Sequence, residues 1–182
     1  MTKKCALLIV DMINDFQFPK GKELAEFTRE TIEPILTLKE HFHNKQWPVI
    51  YINDHYGLWK ADIDLITDYA SNEVSDPIIQ EIKPGDEDYF LIKPKHSAFY
   101  GTALNTLLEE LDVESVVVTG VAGNICVFFT ANDAYMREFG VYIPKDALAS
   151  EEAKFNEYAL GMMENVLNAD IRPAKDLIEL LS

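Results

Sequence analysis

The stretch "SVVVTGVAGNICVFFTANDAYMREFG", residues 115–140, decides how the chain is read. It opens on a β-branched run, "SVVVTG" (115–120), which reads as a strand buried on both faces and ended by glycine. Over 124–139 it continues as a helix, with Ile125, Phe128, Phe129 and Met136 as apolar positions. A buried strand that turns directly into a helix is the building unit of an α/β domain. The turn between them, "GVAGN", precedes Cys126, one of two cysteines in the chain. A free cysteine is most often a small piece of core. Its role here depends on what else the fold brings to that turn.

Outward from this unit the same alternation recurs. "CALLIV" (5–10), "PVIYIN" (48–53), "DYFLIK" (88–93), "VYIP" (141–144) and "ADIR" (169–172) read as five further strands. Residues 21–45 carry Leu24, Phe27, Ile32, Ile35, Leu38 and Phe42 at helical spacing. Residues 103–111, 151–166 and 174–182 read as shorter helices. The pattern predicts one domain over residues 1–182, an α/β fold of three layers, α/β/α. Its centre is a six-stranded, mostly parallel, Rossmann-like sheet. Segment 54–87 fits this alternation least. One short helix around 74–81 is expected there, and the rest reads as a long excursion of the kind that forms lids or pocket walls.

Composition narrows the class. The 182 residues are 48% apolar and 26% charged, which is ordinary for a globular protein. No apolar run approaches the roughly 18 to 20 residues of a membrane helix. The start, "MTKKCALLIVDM", has the lysines and short apolar stretch of a signal peptide. That stretch ends at Asp11 with no small-residue cleavage site, so it reads as the first strand of a cytoplasmic protein. A net charge of −15, from 31 acidic and 16 basic residues, argues against nucleic-acid and membrane partners. Cys5 starts one strand and Cys126 lies beyond the far end of another. They are expected outside disulfide reach, as two free thiols in a reducing compartment.

Open α/β sheets bind ligands outside the carboxyl ends of their strands. Asp11 follows the first strand, Asp54 and His55 the second, Lys93 ends the third, and Cys126 follows the fourth. Lys95 and His96 come just after Lys93, and His96 is a candidate partner for the thiol. A carboxylate, an amine and a thiol thus map to one edge of the sheet. Cys126 near a helix start, beside a lysine, is expected to have a lowered pKa. An aspartate nearby would serve as general base, and the amides around "VAGNIC" would hold an oxyanion. Each residue alone has a plainer reading: a turn acceptor, a surface lysine, a core cysteine. The order in which they occur is what distinguishes them.

That order resembles the isochorismatase-like cysteine hydrolases, a family that includes nicotinamidases and N-carbamoylsarcosine amidohydrolases. The matching pieces are "ALLIVDMINDF" (6–16), "LIKPKHSAFYGTAL" (91–104), "VVVTGVAGNICVFFTANDAYMREFG" (116–140) and "IPKDALAS" (143–150). The resemblance implies an Asp-Lys-Cys catalytic triad of Asp11, Lys93 and Cys126. It implies a cis peptide between Val121 and Ala122, with the amides of Ala122 and Cys126 as the oxyanion hole. It implies hydrolysis of a small amide or ureide through an acyl-enzyme, and a homo-oligomer.

Two departures bear on specificity. Many members have threonine where this chain has Gly123, and nicotinamidases hold a divalent metal with an Asp-x-His pair after the second strand. Here that stretch reads "INDHYGLW", so Asn53-x-His55 keeps the spacing with a poor first ligand. No metal and no other cofactor is expected. Phe16, Asp54, Tyr56, Trp59, Phe99 and Gly123 are the expected pocket residues. The alternative from another class is a binding or interaction protein with little catalysis. A nucleotide-binding domain is disfavoured because GxGxxG and GxxxxGK[ST] are both missing.

Overall fold

The structure is a computed structural model and describes residues 4–182. Met1 to Lys3, the start of the signal-peptide-like segment, lie outside the described residues. Six strands form one sheet: β1 (Cys5–Val10), β2 (Val49–Asp54), β3 (Tyr89–Lys93), β4 (Ser115–Val121), β5 (Gly140–Tyr142) and β6 (Leu148–Ala149). The order is β3-β2-β1-β4-β5, with β6 also pairing β4, and the pairings are parallel. Among the described residues seven α-helices connect them: α1 (Gly21–Asn44), α2 (Ile63–Ala70), α3 (Asp76–Ile82), α4 (Leu104–Glu110), α5 (Phe128–Met136), α6 (Ala153–Leu167) and α7 (Ala174–Leu181).

The near-continuous apolar strands follow from burial on both faces. On one face Leu7, Ile9, Tyr51 and Val117 pack beneath α1, α2, α3 and α7 through Leu24, Ile35, Ile66, Ile79 and Leu177. On the other, Leu8, Val10, Ile52 and Val118 pack beneath α4, α5 and α6 through Leu108, Ala131 and Met163. Alternate residues of each strand thus serve opposite layers. Every strand of a parallel sheet points the same way, so the carboxyl ends of β1, β2, β3 and β4 share one edge. No helix among the described residues is long and apolar enough to cross a membrane.

Three sequence expectations need correction. The sixth strand is Leu148–Ala149, not 169–172. Its partners are Gly120 and Val121, at the end of β4 beyond the short β5 pairing. "ADIR" makes only a single bridge, Asp170 to Tyr142. Arg172 there folds back onto Asp170, at 2.7 Å, and Pro173 cannot donate to a ladder. The 54–87 excursion holds two helices rather than one, with α2 started by Asp62, whose side chain accepts from Leu65 N at 3.1 Å. The helix expected over 124–139 is split. A π-helical turn, Gly123–Val127, precedes α5, and Ala122 O accepts from Val127 N at 3.2 Å, five residues on.

Candidate active site

Asp11 leaves β1 in the left-handed region, at φ 51°, where aspartate is among the more tolerant residues. Its own amide donates to Ile52 O at 3.1 Å, so the sharp turn is tied to β2. Beside it Gly120 has φ 109°, and a Cβ there would lie 2.1 Å from Val10 O. Only glycine lets β4 approach β1 this closely at the level of Asp11. Asn53 holds the other side of the loop. Its buried side chain accepts from Ile13 N at 3.1 Å and donates to Ile13 O at 2.9 Å.

The three expected triad side chains meet at this edge. Lys93 Nζ is 2.7 Å from Asp11 Oδ2 and 3.5 Å from Cys126 Sγ, and it donates to Lys95 O at 3.1 Å. Asp11 Oδ1 accepts from Asp54 N at 2.8 Å. Lys93 is 1% exposed and Asp11 6%, so the pair is nearly water-free. The peptide between Val121 and Ala122 is cis, and the π-helical turn follows it with Cys126 in its last part.

Burial sets the charge state of the thiol. It pushes Cys126 well above the ordinary cysteine value, and the Asp11 carboxylate adds to the push while Lys93 opposes both. The expected lowering by a helix start is therefore corrected: in the free protein the proton stays on sulfur. Burial alone would also draw Lys93 down. The Asp11 carboxylate, through its charge and its hydrogen bond, is the largest influence against this, and Lys93 is held above the ordinary lysine value. The site is a neutral thiol lying against a buried ion pair.

A cavity of about 450 Å³ opens onto Cys126. Asp54, Tyr56, Val121 and Ala122 line it, as do His96 and Ile125. Tyr56 is fixed by a bond from its hydroxyl to Ile13 O at 2.9 Å and by stacking on Tyr69 at 5.0 Å. Four expected pocket residues are elsewhere. Phe16 is 4% exposed, within the core under α1. Phe99 is 5% exposed, packs in the opposite core against Phe139, and has the Arg137 guanidinium 4.8 Å above its ring. Trp59 is 68% exposed and stacks on His55 at 4.0 Å. Gly123 is not among the cavity-lining residues, and a Cβ there would point towards Asn156, Leu148 and Ser150 instead.

Sequence reading missed Asn14, Asp15, Phe18, Pro19 and Glu151, which also line the cavity. The "NDF" string pointed to their neighbourhood, but the left-handed turns at Asp11 and Phe16 reverse which side chains face in. The spacing Asn53-x-His55 does not make a metal site here. Both polar ends of Asn53 are taken by the Ile13 backbone, and His55 Nδ1 accepts from Gly57 N at 2.9 Å. Both cysteines are free thiols, and Cys5 is buried at the start of β1.

An isochorismatase domain matches residues 5–172. The chain is 60% identical over 174 residues to the isochorismatase family protein YaaI of Bacillus subtilis, with 96% of each chain covered. It superposes on the nicotinamidase of Staphylococcus aureus with a TM-score of 0.72 and 26% identity, covering 93% of this chain and 99% of that one. It superposes on the N-carbamoylsarcosine amidase of Thermoplasma acidophilum with a TM-score of 0.72 and 29% identity, covering 94% and 96%. With a domain match across nearly the whole chain and a relative this similar, the chain belongs to the isochorismatase family of hydrolases.

Proposed function

We propose that the protein is a cysteine amidohydrolase that cleaves the C–N bond of a small amide or ureide through an acyl-enzyme on Cys126. The observation that carries this reading is the contact of Cys126 Sγ with Lys93 at 3.5 Å, with Lys93 paired to Asp11 at 2.7 Å, below a cavity of about 450 Å³. The amidase activities named for the two solved relatives support the same bond type.

The charge state dictates the order of events. The thiol is protonated at rest, so its proton passes to Asp11 as Sγ attacks the carbonyl. Lys93 stabilises the negative charge on sulfur while it lasts, in a site where water does not screen it. The amides of Ala122 and Cys126 are assigned to the carbonyl oxygen as it becomes an oxyanion. Water then hydrolyses the thioester. The nicotinamidase-type metal ligands do not fit, because both polar ends of Asn53 are committed to the Ile13 backbone.

A panel of small primary amides and ureides, nicotinamide and N-carbamoyl amino acids included, tests this by ammonia release. Cys126→Ala should abolish turnover, and intact-mass spectrometry of the wild type should show an acyl adduct on Cys126. Turnover by Cys126→Ala at the wild-type rate would remove the nucleophile. Binding of these compounds with neither adduct nor product would favour the binding-protein alternative.

A further inference from the structure

The cavity above Cys126 carries more negative charge than the triad accounts for. Among the described residues its lining has four carboxylates, Asp11, Asp15, Asp54 and Glu151, and no lysine or arginine. Asp11 is neutralised by Lys93 at 2.7 Å. No salt bridge to a described residue neutralises the other three. Asp15 Oδ1 accepts from Gln17 N at 3.0 Å and Asp54 Oδ1 from Tyr56 N at 2.7 Å, which are loop hydrogen bonds that leave the charge in place. Beside Glu151, both Lys20 and Lys154 are held by Glu152 instead. His96 is the basic group of the lining, and it lies at the thiol end, with Nδ1 3.9 Å from Cys126 Sγ.

The unpaired carboxylates surround the space rather than meet at a point. Asp15 comes from the loop after β1, Asp54 from the end of β2 and Glu151 from the turn between β6 and α6. Among the described residues no three His, Cys, Asp or Glu side chains converge closely enough to hold a metal ion. The arrangement suits an organic cation with several N–H donors. Two rings of the same lining, Phe18 and Tyr56, suit it as well, because an aromatic face attracts a cation within about 6 Å. The Tyr56 phenol senses the same field: burial pushes its pKa up, and the charges of Asp11, Asp15 and Asp54 push it further. An anionic substrate finds no free lysine or arginine in this lining, since Lys93 is buried and paired with Asp11.

We propose that the substrate is a cationic amide or ureide, with its scissile C–N bond at Cys126 and an ammonium or guanidinium at its far end held by Asp15, Asp54 and Glu151 against Phe18 and Tyr56. This rests on the amidohydrolase reading of Cys126 and adds the charge of the part of the substrate that does not react. The cationic end exchanges its water for charge-assisted hydrogen bonds to carboxylates from three segments. Fixing that end orients the carbonyl over the thiol, so the preference appears in kcat/KM as well as in affinity.

Matched compounds test this on the full chain. 4-Aminobutanamide and 5-aminopentanamide are the cations, pentanamide and hexanamide put a methyl group in place of the ammonium, and succinamate and glutaramate put a carboxylate there. A hydrogen bond to a charged group is worth about 10–100-fold in affinity. Calorimetric titration of Cys126→Ala, in which these compounds are ligands rather than substrates, should give a Kd at least about tenfold lower for the better cation than for its methyl isostere at low salt, with the anions weakest. Ammonia release by the wild type should follow the same order in kcat/KM. Asp15→Asn and Glu151→Gln should each shrink the cation-to-neutral ratio by at least about threefold, and added salt should shrink it too. Cations that bind no better than their isosteres, tightest binding of an anion, or a ratio that neither substitution changes would overturn the proposal. Failure of the nucleophile reading shows separately: Cys126→Ala would then release ammonia at the wild-type rate, and the charge preference would still be read from kcat/KM.

Discussion

Replacing Gly123 with alanine adds one methyl group to the π-helical turn before Cys126. The new Cβ would lie 2.3 Å from Asn156 Oδ1, 2.9 Å from Leu148 Cδ1 and 3.0 Å from Ser150 Oγ. The Asn156 amide must retreat by about 1 Å to restore van der Waals contact. It is not free to do so, because it accepts from Ser150 Oγ at 2.9 Å and donates to Leu148 O at 3.4 Å. Ser150 Oγ also accepts from Asn124 N at 3.1 Å, so the disturbance reaches the turn itself. Overpacking costs about 1–3 kcal/mol, and breaking one hydrogen bond while leaving its partner buried costs about 1–3 kcal/mol more. Alanine recovers about 1 kcal/mol of helical propensity. The net loss is about 1–5 kcal/mol, or a Tm lower by roughly 2–20 °C for a chain of this length. Differential scanning calorimetry measures it. Asn156→Ala removes the 2.3 Å contact, so Gly123→Ala should cost at least about 0.5 kcal/mol less in that background. A Gly123→Ala protein with wild-type Tm, or strictly additive single mutants, would refute the packing argument. The same steric limit explains why the threonine found here in many family members has no room in this chain.

Lys93→Met leaves the Asp11 carboxylate buried without its cation and should cost about 3–5 kcal/mol, seen as a loss of Tm, with part recovered in the Asp11→Asn/Lys93→Met double mutant. An unchanged Tm for the single mutant would mean that the pair is solvated. Burial holds Cys5 at about 12 against an ordinary 9.0. Its contribution to stability is therefore complete below pH 9 and is lost as pH rises towards 12, because only the unfolded chain ionises there. Cys5→Ala should flatten the alkaline limb of Tm against pH, and an identical slope in mutant and wild type would exclude Cys5 as a source of it. Asp15, Asp54 and Glu151 line the cavity. At low salt a cationic methanethiosulfonate should therefore label Cys126 at least about tenfold faster than an anionic one, with the ratio shrinking as salt screens the field. Equal rates would show that these carboxylates are neutralised.

Much of the fold lies in local pattern. Apolar runs such as 5–10 and 115–121 bury both faces, and Leu24, Ile32, Ile35 and Leu38 share one helical stripe, so strands, helices and a parallel sheet follow from side-chain periodicity alone. A parallel sheet also fixes which strand ends share an edge, and the sequence order then puts Asp11, Lys93 and Cys126 at that edge. β6 and α2 were illegible for the opposite reason. Two residues, Leu148 and Ala149, have no periodicity to show, and their pairing depends on how far β4 runs past β5. α2 is stabilised by Ile66 and Ala70 reaching the core, a tertiary contact and not a local preference.

The site divides along the same line. Residue type and order determined which groups carry the chemistry, because the strand ends are fixed by topology. Only the tertiary structure decided their charge state and their surroundings. Desolvation and the Asp11 carboxylate keep the Cys126 thiol protonated, whereas the sequence, which shows the helix start and the lysine but not the burial, pointed to a lowered pKa. Left-handed turns at Asp11 and Phe16 sent Phe16 into the core, and Asn156 fills the space beside Gly123. Burial and close approach depend on the whole chain at once, so no window of sequence contains them.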